Sequence, residues 1–321
     1  MALSDLTVFQ EYSYSTFQEL LQYNFNLFND ATLGGLVLVP GSMLGDFSYE
    51  AMWTRITGLV KRRNAYGSGA VAAKNLGMET MTKVKVAAGT PPVNIPPSMF
   101  TWIQKSPEEA GAVIGRQLAE DALEDMVLVA AKAFVAAVSG VAGLVHDGTA
   151  GTITLAGLNT AASKMGDRAD RIMCWLMHSK NAFDLYGAAL ANGQNLFSFG
   201  NVKVMQDGFG RPFIVSDSAA LPYTVAGPAT RYHVLGLTQG AVVIEQNNDF
   251  MDNVVTSNGD ENIQRTYQAE WTYNAGVKGF AWDVTNGGKS PNDAALTTTT
   301  NWDKRAGADI KELAGVLANF Q

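Results

Sequence analysis

The longest regular pattern of apolar and polar positions runs from Ser106 to Gly140 and predicts a single long helix. Ser106, Pro107 and Glu109 form a capping box, in which the serine hydroxyl caps the helix and the glutamate bonds back to the cap. At about 1.5 Å per residue the helix would be about 50 Å long. We therefore expect an elongated body organised around it.

The two halves of this helix differ. Residues 108–125 have one apolar face, whereas residues 126–145 are almost wholly apolar apart from Lys132 and must be enclosed on several sides. A membrane span is the alternative interpretation of the second half. It is disfavoured because the segment is rich in weakly hydrophobic Ala and Gly and because Lys132 would cost about 2.5–3.5 kcal/mol there.

Residues 263–277 have the clearest strand pattern in the chain. Apolar side chains take the odd positions and mostly polar ones the even positions, with Arg265 as the exception. Gly276 and Gly279 allow a bend, after which Phe280 and Trp282 continue on the other parity, so the register changes there. A strand this long would match the long helix and could pack along it.

Before the long helix, the chain reads as an arm followed by a hairpin. Residues 9–28 carry a short helical stripe that needs a partner surface, and residues 36–39 read as an extended connector. The hairpin has an outgoing strand at 53–64, a tip at Gly67 and Gly69, and a returning strand at 79–88. The prolines between 91 and 97 predict a stiff polyproline connector. The stripe consists of Phe17, Leu20, Leu21, Phe25 and Phe28.

After the long helix, residues 157–249 predict a compact α+β module. We expect helices at 155–165 and 180–191 and a buried strand at 171–178. Two strand pairs complete the module, at 202–205 with 212–216 and at 232–237 with 241–246.

Composition and charge refine this picture. The chain of 321 residues suffices for two or three modules, its single Cys174 excludes an internal disulfide framework, and its N-terminus lacks a signal-peptide pattern. We therefore expect a soluble protein made in a cytosol. Residues 1–54 contain six acids and no Lys or Arg, whereas residues 55–105 contain eight Lys and Arg against Glu79 alone. Opposite charges in adjacent segments suggest pairing, within one chain or between chains.

Signals for catalysis and for cofactor binding are weak. Gly67, Gly69 and Ala72 match the spacing of a dinucleotide fingerprint, but the sequence offers neither the strand before it nor the helix after it. None of the three histidines stands at metal-ligand spacing from another histidine or from Cys174. We expect no enzyme, no cofactor and no metal site.

Two charged groups are candidate contact surfaces. Four carboxylates lie on the polar side of the long helix: Glu120, Asp121, Glu124 and Asp125. They could form an acid–base or cation site, but a solvated or salt-bridged helix face is the favoured interpretation. In the hairpin, three consecutive cations could bind nucleic-acid phosphates: Lys61, Arg62 and Arg63. Tyr66 is the one aromatic residue near them, and the adjacent segment 1–54 is acidic and would compete for these cations. Both observations favour contact with protein over contact with nucleic acid.

The order of these elements resembles the major capsid proteins of tailed bacteriophages, which have the Hong Kong 97-type fold. That order is arm, long hairpin, Pro-rich return, spine helix, α+β module and long strand. Local phrases agree, namely CWLMHS at 174–179, GRPFIVSD at 210–217, LTQGAV at 237–242, AEW at 269–271 and KGFAWD at 278–283. The resemblance covers nearly the whole chain.

The resemblance implies an α+β capsid fold and a structural function. Many copies would assemble as hexamers and pentamers into the icosahedral shell of a virion, in the host cytoplasm, around double-stranded DNA bound without sequence specificity. Scaffold, portal and decoration proteins are further expected partners. In the family's terms the parts are an N-terminal arm (1–50), an E-loop (51–98), a peripheral domain with the spine helix (99–156), an axial domain (157–249) and the peripheral long strand with a C-terminal segment (250–321).

Arms and loops of adjacent subunits meet in such shells, so the resemblance makes charged residues candidates for intersubunit contacts. The cations are Lys61, Arg62, Arg63, Lys83 and Lys85, and their partners would be acids of the arm or the four spine carboxylates. We further expect arm and hairpin to be ordered only against neighbouring subunits. Two alternatives stay open. One is an encapsulin shell around cargo enzymes, and the other is an α/β-class enzyme, whose strand–helix alternation and polar site the sequence lacks.

Overall fold

The computed structural model describes residues 3–53, 56, 58–187, 194–199, 202–206, 211–224, 230–258, 263–306 and 308–321. Within them the helices are α1 (Leu3–Ala31), α2 (Pro97–Lys105), α3 (Pro107–Ser139), α4 (Leu155–Ser163), α5 (Ser179–Gly187) and α6 (Asp293–Thr297). The strands are β1 (Leu36–Gly41), β2 (Phe47–Trp53), β3 (Met78–Gly89), β4 (Val93–Asn94), β5 (Val145–Asp147), β6 (Ile172–Met177), β7 (Gln194–Phe199), β8 (Val202–Gln206), β9 (Pro212–Val215), β10 (Pro222–Thr224), β11 (Thr230–Thr238), β12 (Val242–Asn247), β13 (Met251–Ser257), β14 (Gln264–Val277), β15 (Phe280–Trp282), β16 (Trp302–Lys304) and β17 (Gly315–Phe320). The predicted α+β class is confirmed.

The predicted long helix is present as α3, which runs unbroken through 33 residues. Its second half is enclosed by protein, and no helix of the described residues is long and apolar enough to cross a membrane. The capping box is wrong in detail, because the Ser106 side chain caps nothing. Its backbone N–H instead bonds to the Trp102 carbonyl at 2.9 Å and closes α2, a helix that was not predicted and that begins at the end of the predicted polyproline connector.

The N-terminal segment is a helix in the core, which corrects the prediction of an arm ordered only against other subunits. α1 packs along α3, and the side chains of Phe9 and Phe17 are fully buried. Two glycines of α3 permit this approach. A Cβ at Gly111 would lie 2.6 Å from the carbonyl oxygen of Phe9, and one at Gly115 would lie 2.5 Å from that of Ser13.

The first sheet of the described chain has seven strands, in the order β1-β12-β14-β3-β2 with β13 and β4 also paired to β14. β1 lies parallel to β12, so the predicted connector is an edge strand of this sheet. The predicted hairpin is formed by β2 and β3, but its outgoing strand ends at Trp53 instead of beginning there. Residues 58–77 contain no helix or strand and form the exposed loop of this hairpin.

The second sheet has eight described strands, in the order β5-β17-β11-β6-β9-β8-β7 with β10 paired to β11. The predicted helices and the buried strand of this region are present as α4, α5 and β6, with α5 described to Gly187. The predicted pairing of 202–205 with 212–216 is confirmed by β8 and β9, and residues 207–210 between them lie outside the described residues. The predicted pairing of 232–237 with 241–246 is wrong, because the turn at Gly240 (φ 63°) carries the chain from one sheet to the other.

The predicted long strand is confirmed as β14, the centre of the first sheet. Tyr267, Trp271 and Tyr273 are buried on its apolar face, which packs against α3 as expected. The predicted register change is also present. It occurs at Gly279 (φ 81°), after which β15 pairs with β16 in a separate two-stranded sheet.

Candidate assembly interface

Lys83 bridges three strands on the polar face of the first sheet. Its Nζ donates to Glu50 Oε1 at 2.5 Å and to Glu245 Oε1 at 2.6 Å. These carboxylates belong to β2 and β12, whereas the lysine is on β3. The acidic first segment and the basic segment after it are therefore joined, at Glu50, within one chain.

Gly276 provides the path for this bridge. β14 lies between β3 and β12, and the Lys83 side chain crosses it at position 276, where a Cβ would lie 2.7 Å from Lys83 Cγ. From the sequence, Gly276 is expected to allow a bend. In the structure, the absence of a side chain at Gly276 leaves room for the side chain of Lys83. A glycine within an alternating strand is a sequence signal for such a close approach.

The pKa of Lys83 reflects two opposing effects. Burial alone would lower it, but the hydrogen bonds and charges of Glu245 and Glu50 outweigh burial and raise the pKa above its usual 10.5. A raised folded-state pKa means that the bridge stabilises the fold fully below pH 10.5. The contribution is lost as the pH rises through the raised value.

We expect Lys83→Met to lower the free energy of unfolding at pH 7 by about 1–2 kcal/mol, between the values for exposed and buried ion pairs. The lysine side chain is 12% exposed, and its removal leaves two carboxylates without their shared cation. Urea unfolding measures the loss, with Lys304→Met at an exposed position as the control. The loss should shrink above pH 10.5, and a constant loss would show that packing, not charge, is responsible.

Lys85 is also engaged within its own chain. Its Nζ donates to the Met43 carbonyl at 3.0 Å. Its charge adds to the larger effect of the Lys289 hydrogen bond in holding the pKa of Asp46 below the usual range. Both candidate cations of β3 therefore already have partners at the base of the hairpin.

The four spine carboxylates lie in two environments. Asp125 is half-buried and accepts a hydrogen bond from the Tyr273 hydroxyl at 2.6 Å. Burial raises the pKa of Asp125, against the opposing effect of that hydrogen bond. Arg116 Nε pairs with Oε1 of Glu120, one turn further along the helix, at 3.1 Å. The outer three are exposed: Glu120, Asp121 and Glu124.

A groove of ≈ 440 Å³ lies beside these carboxylates. Its walls come from the end of β3, from α3, from β14 and from residues 291–293. Lys132 pairs with Asp293 on this side of α3 at 2.7 Å. The groove combines apolar walls with three carboxylates, an arrangement that suits a segment carrying both apolar and basic side chains. The apolar lining includes Val86, Leu118, Val129 and Trp271, and the carboxylates are Asp121, Asp125 and Asp293.

The exposed loop carries such side chains. Every residue from 58 to 76 is exposed, and Val60 and Tyr66 are 94% and 99% exposed. The three consecutive cations lie among these apolar groups: Lys61, Arg62 and Arg63. The loop also contains the glycine spacing that matched a dinucleotide fingerprint. Exposed apolar groups at this density indicate a contact surface.

Neither a metal-ligand cluster nor an exposed cysteine is present among the described residues. No three His, Cys, Asp or Glu side chains there cluster in a way that could hold a metal ion. Cys174 is buried in β6, and burial raises its pKa to about 12, which keeps the thiol protonated and inert.

Comparison with known families identifies the chain. The sequence model of the Gp13-like family, described as major capsid protein 13-like, matches residues 5–317. The chain belongs to this family. Members of the major capsid protein 13-like family are shell proteins, so the predicted capsid function is confirmed and is favoured over the encapsulin alternative. The role that the family's description gives is structural, that of a shell protein.

Several solved structures similar to this family member come from phages. For Mycobacterium phage Adephagia the identity is 11%, with 91% of this chain and 89% of that chain covered and a TM-score of 0.47. For the cyanophage Pam1 capsid asymmetric unit the values are 11%, 86%, 85% and 0.47. For the capsid of Ralstonia phage GP4 they are 9%, 89%, 86% and 0.46. A search of curated protein sequences finds no match to this chain.

The element order of the Hong Kong 97-type capsid fold, expected from the resemblance, is the order that this member of the major capsid protein 13-like family has. The hairpin of β2 and β3 precedes the spine helix α3, the second sheet follows it, and the long strand β14 comes after most of that sheet. The N-terminal segment differs from the expectation because α1 is part of the core.

Proposed function

We propose that this major capsid protein 13-like chain assembles as hexamers and pentamers into the icosahedral shell of a tailed-phage virion. The shell encloses double-stranded DNA, which it contacts without sequence specificity, and it assembles in the host cytoplasm. Scaffold, portal and decoration proteins are the further partners of this proposal. Self-association into a shell is the function of the family to which the chain belongs.

The exposed loop at 58–77 is the observation that carries this proposal. In a single chain the side chains of Leu59, Val60 and Tyr66 remain in water. Burying apolar surface contributes about 25 cal/mol per Å², a gain that this loop obtains only by contact with another molecule. The paired strands β2 and β3 fix both ends of the loop. The exposed side chains between them are therefore presented to a neighbouring copy.

We infer that the exposed loop of one copy docks at the groove of a neighbour. The loop supplies apolar and basic groups, and the groove supplies apolar walls with carboxylates on and beside α3. Each exposed ion pair contributes only about 0–1 kcal/mol, but the contact repeats around every capsomer. Lys83 and Lys85 hold the base of the hairpin and remain candidates for contact from there.

The family division of the chain is part of this proposal. The parts are an N-terminal segment (1–50), called the arm in the family although its α1 packs here against α3, an E-loop (51–98), a peripheral domain (99–156), an axial domain (157–249) and a peripheral strand with the C-terminal segment (250–321). Most strands of the second sheet fall within the axial range. That sheet also receives β5 and β17 from outside the range.

Charge reversal tests the docking contact. We expect Arg62→Glu with Arg63→Glu to reduce the yield of shells in negative-stain microscopy at low salt, because the loop would then meet like charges. Wild-type assembly should itself weaken with salt, since the Debye length falls from about 10 Å at 0.1 M to about 3 Å at 1 M. The matched control is Lys164→Glu with Lys304→Glu, which makes the same change of net charge at exposed positions elsewhere. Equal yields from the two double variants would reject the contact.

Trypsin provides a second test, which needs no substitution. The loop offers Lys61, Arg62 and Arg63 as cleavage sites, whereas residues 1–54 contain no Lys or Arg. We expect rapid cleavage at 61–63 in the free subunit and protection of at least tenfold in assembled shells. Mass spectrometry of the fragments locates the cut. Cleavage at the same rate in both forms would mean that the loop stays in solvent after assembly.

A further inference from the structure

A second cavity, of ≈ 460 Å³, shares no lining residue with the groove or with the exposed loop. It opens beside the turn that carries the chain from β11 to β12. Its walls come from four separated segments: the 3₁₀ turn before β6, the β11–β12 turn, the residue after β14 and the 3₁₀ turn before β17. The fold thus assembles this cavity from parts distant in sequence.

Five charged side chains line the cavity, and their pairing is uneven. Lys311 pairs with Asp167, and Glu312 pairs with Arg168 at 3.0 Å. The other three form no ion pair with any described residue; they are the exposed carboxylate of Asp170 and two cations, of which Arg171 is exposed. The charged lining consists of Asp170, Arg171, Lys278, Lys311 and Glu312, and the two cations without an ion pair are Arg171 and Lys278.

Lys278 is half-buried in the wall of this cavity. Its Nζ donates to the Gln239 carbonyl at 2.8 Å, and an ammonium has two further donors. Burial, followed by the charge of Arg171, lowers the pKa of Lys278, while Glu312 acts in the opposite direction. A desolvated cation beside a second cation is an environment that a bound anion would stabilise.

We propose that this cavity binds an oxyanion of the phosphate class, held by Lys278 and Arg171. The guanidinium can donate to two oxygens at once, and the ammonium acts as a compact point charge beside it. The cavity is larger than a single phosphate needs. The phosphate group can therefore come from inorganic phosphate or from a nucleic-acid phosphodiester.

Inorganic phosphate is the first probe, applied to the full-length purified chain. Calorimetric titration, with chloride at equal ionic strength as the reference, should detect phosphate binding, and phosphate should raise the thermal unfolding midpoint. Lys278→Met and Arg171→Gln should each weaken phosphate binding at least tenfold, while Lys278→Arg should retain most of it. Lys105→Met, at an exposed position of α2 that is not part of the cavity lining, should bind as the wild type does.

A short DNA duplex, measured by fluorescence anisotropy, separates the two sources. Lys278-dependent binding of both probes indicates a phosphodiester, and Lys278-dependent binding of phosphate alone indicates the free ion. Absence of phosphate binding by the wild type would overturn the proposal, as would unchanged affinity in a folded Lys278→Met or Lys278→Gln variant. Because the measurement uses unassembled subunits, its outcome is independent of shell formation.

Discussion

Proline at Ala122 or Val129 is expected to abolish shell formation and to lower the thermal unfolding midpoint of the subunit. Both residues are buried in α3, where a proline removes a backbone hydrogen bond and clashes with the preceding turn, at about 3 kcal/mol or more. α3 also contacts α1, α2, α6 and β14, so a kink would separate several elements at once. Circular dichroism melts and negative-stain microscopy measure the two effects.

Gly67→Pro is the control for these spine substitutions. Gly67 lies in the exposed loop, where its N–H makes a single local hydrogen bond, to the Asn64 carbonyl at 3.2 Å. We expect its unfolding midpoint to stay close to that of the wild type. Normal shells from either spine variant would mean that a continuous α3 is not required for assembly.

The elements that the sequence predicted well are those whose signal is local. α3 and β14 each repeat one pattern over many residues, and each buries the face that its pattern indicates. α2 was missed because Pro96 and Pro97 suggested a connector, although a proline at the first position is compatible with a helix. The packing of α1 was missed because its partner surface is distant in sequence. The relevant signal was the four-residue spacing of Gly111 and Gly115 in a helix.

The candidate interface was predictable in composition but not in pairing. The sequence alone shows the basic run at 61–63 and the acids of the spine helix as charged groups. In the structure the run at 61–63 is exposed. Lys83, in contrast, is paired with Glu245 in the folded chain. This pair forms only when β12, β14 and β3 come together in register, which the sequence does not show. Charge patterns in a sequence give sign and density. The fold decides which of those charges are already satisfied.

Gly315→Ala is expected to destabilise the subunit by more than about 3 kcal/mol, above the 1–3 kcal/mol of backbone strain alone. Gly315 has φ 152°, and a Cβ there would lie 1.9 Å from the Gly236 carbonyl oxygen. Backbone cannot yield as a flexible side chain does, so β17 would lose its place between β11 and β5. Gly240→Ala is the matched control, since its φ of 63° imposes strain of about 1–2 kcal/mol with nothing within 4 Å of the new methyl group. Chemical denaturation compares the two variants, and equal losses would show that conformation at Gly315, rather than contact with β11, is the limiting constraint.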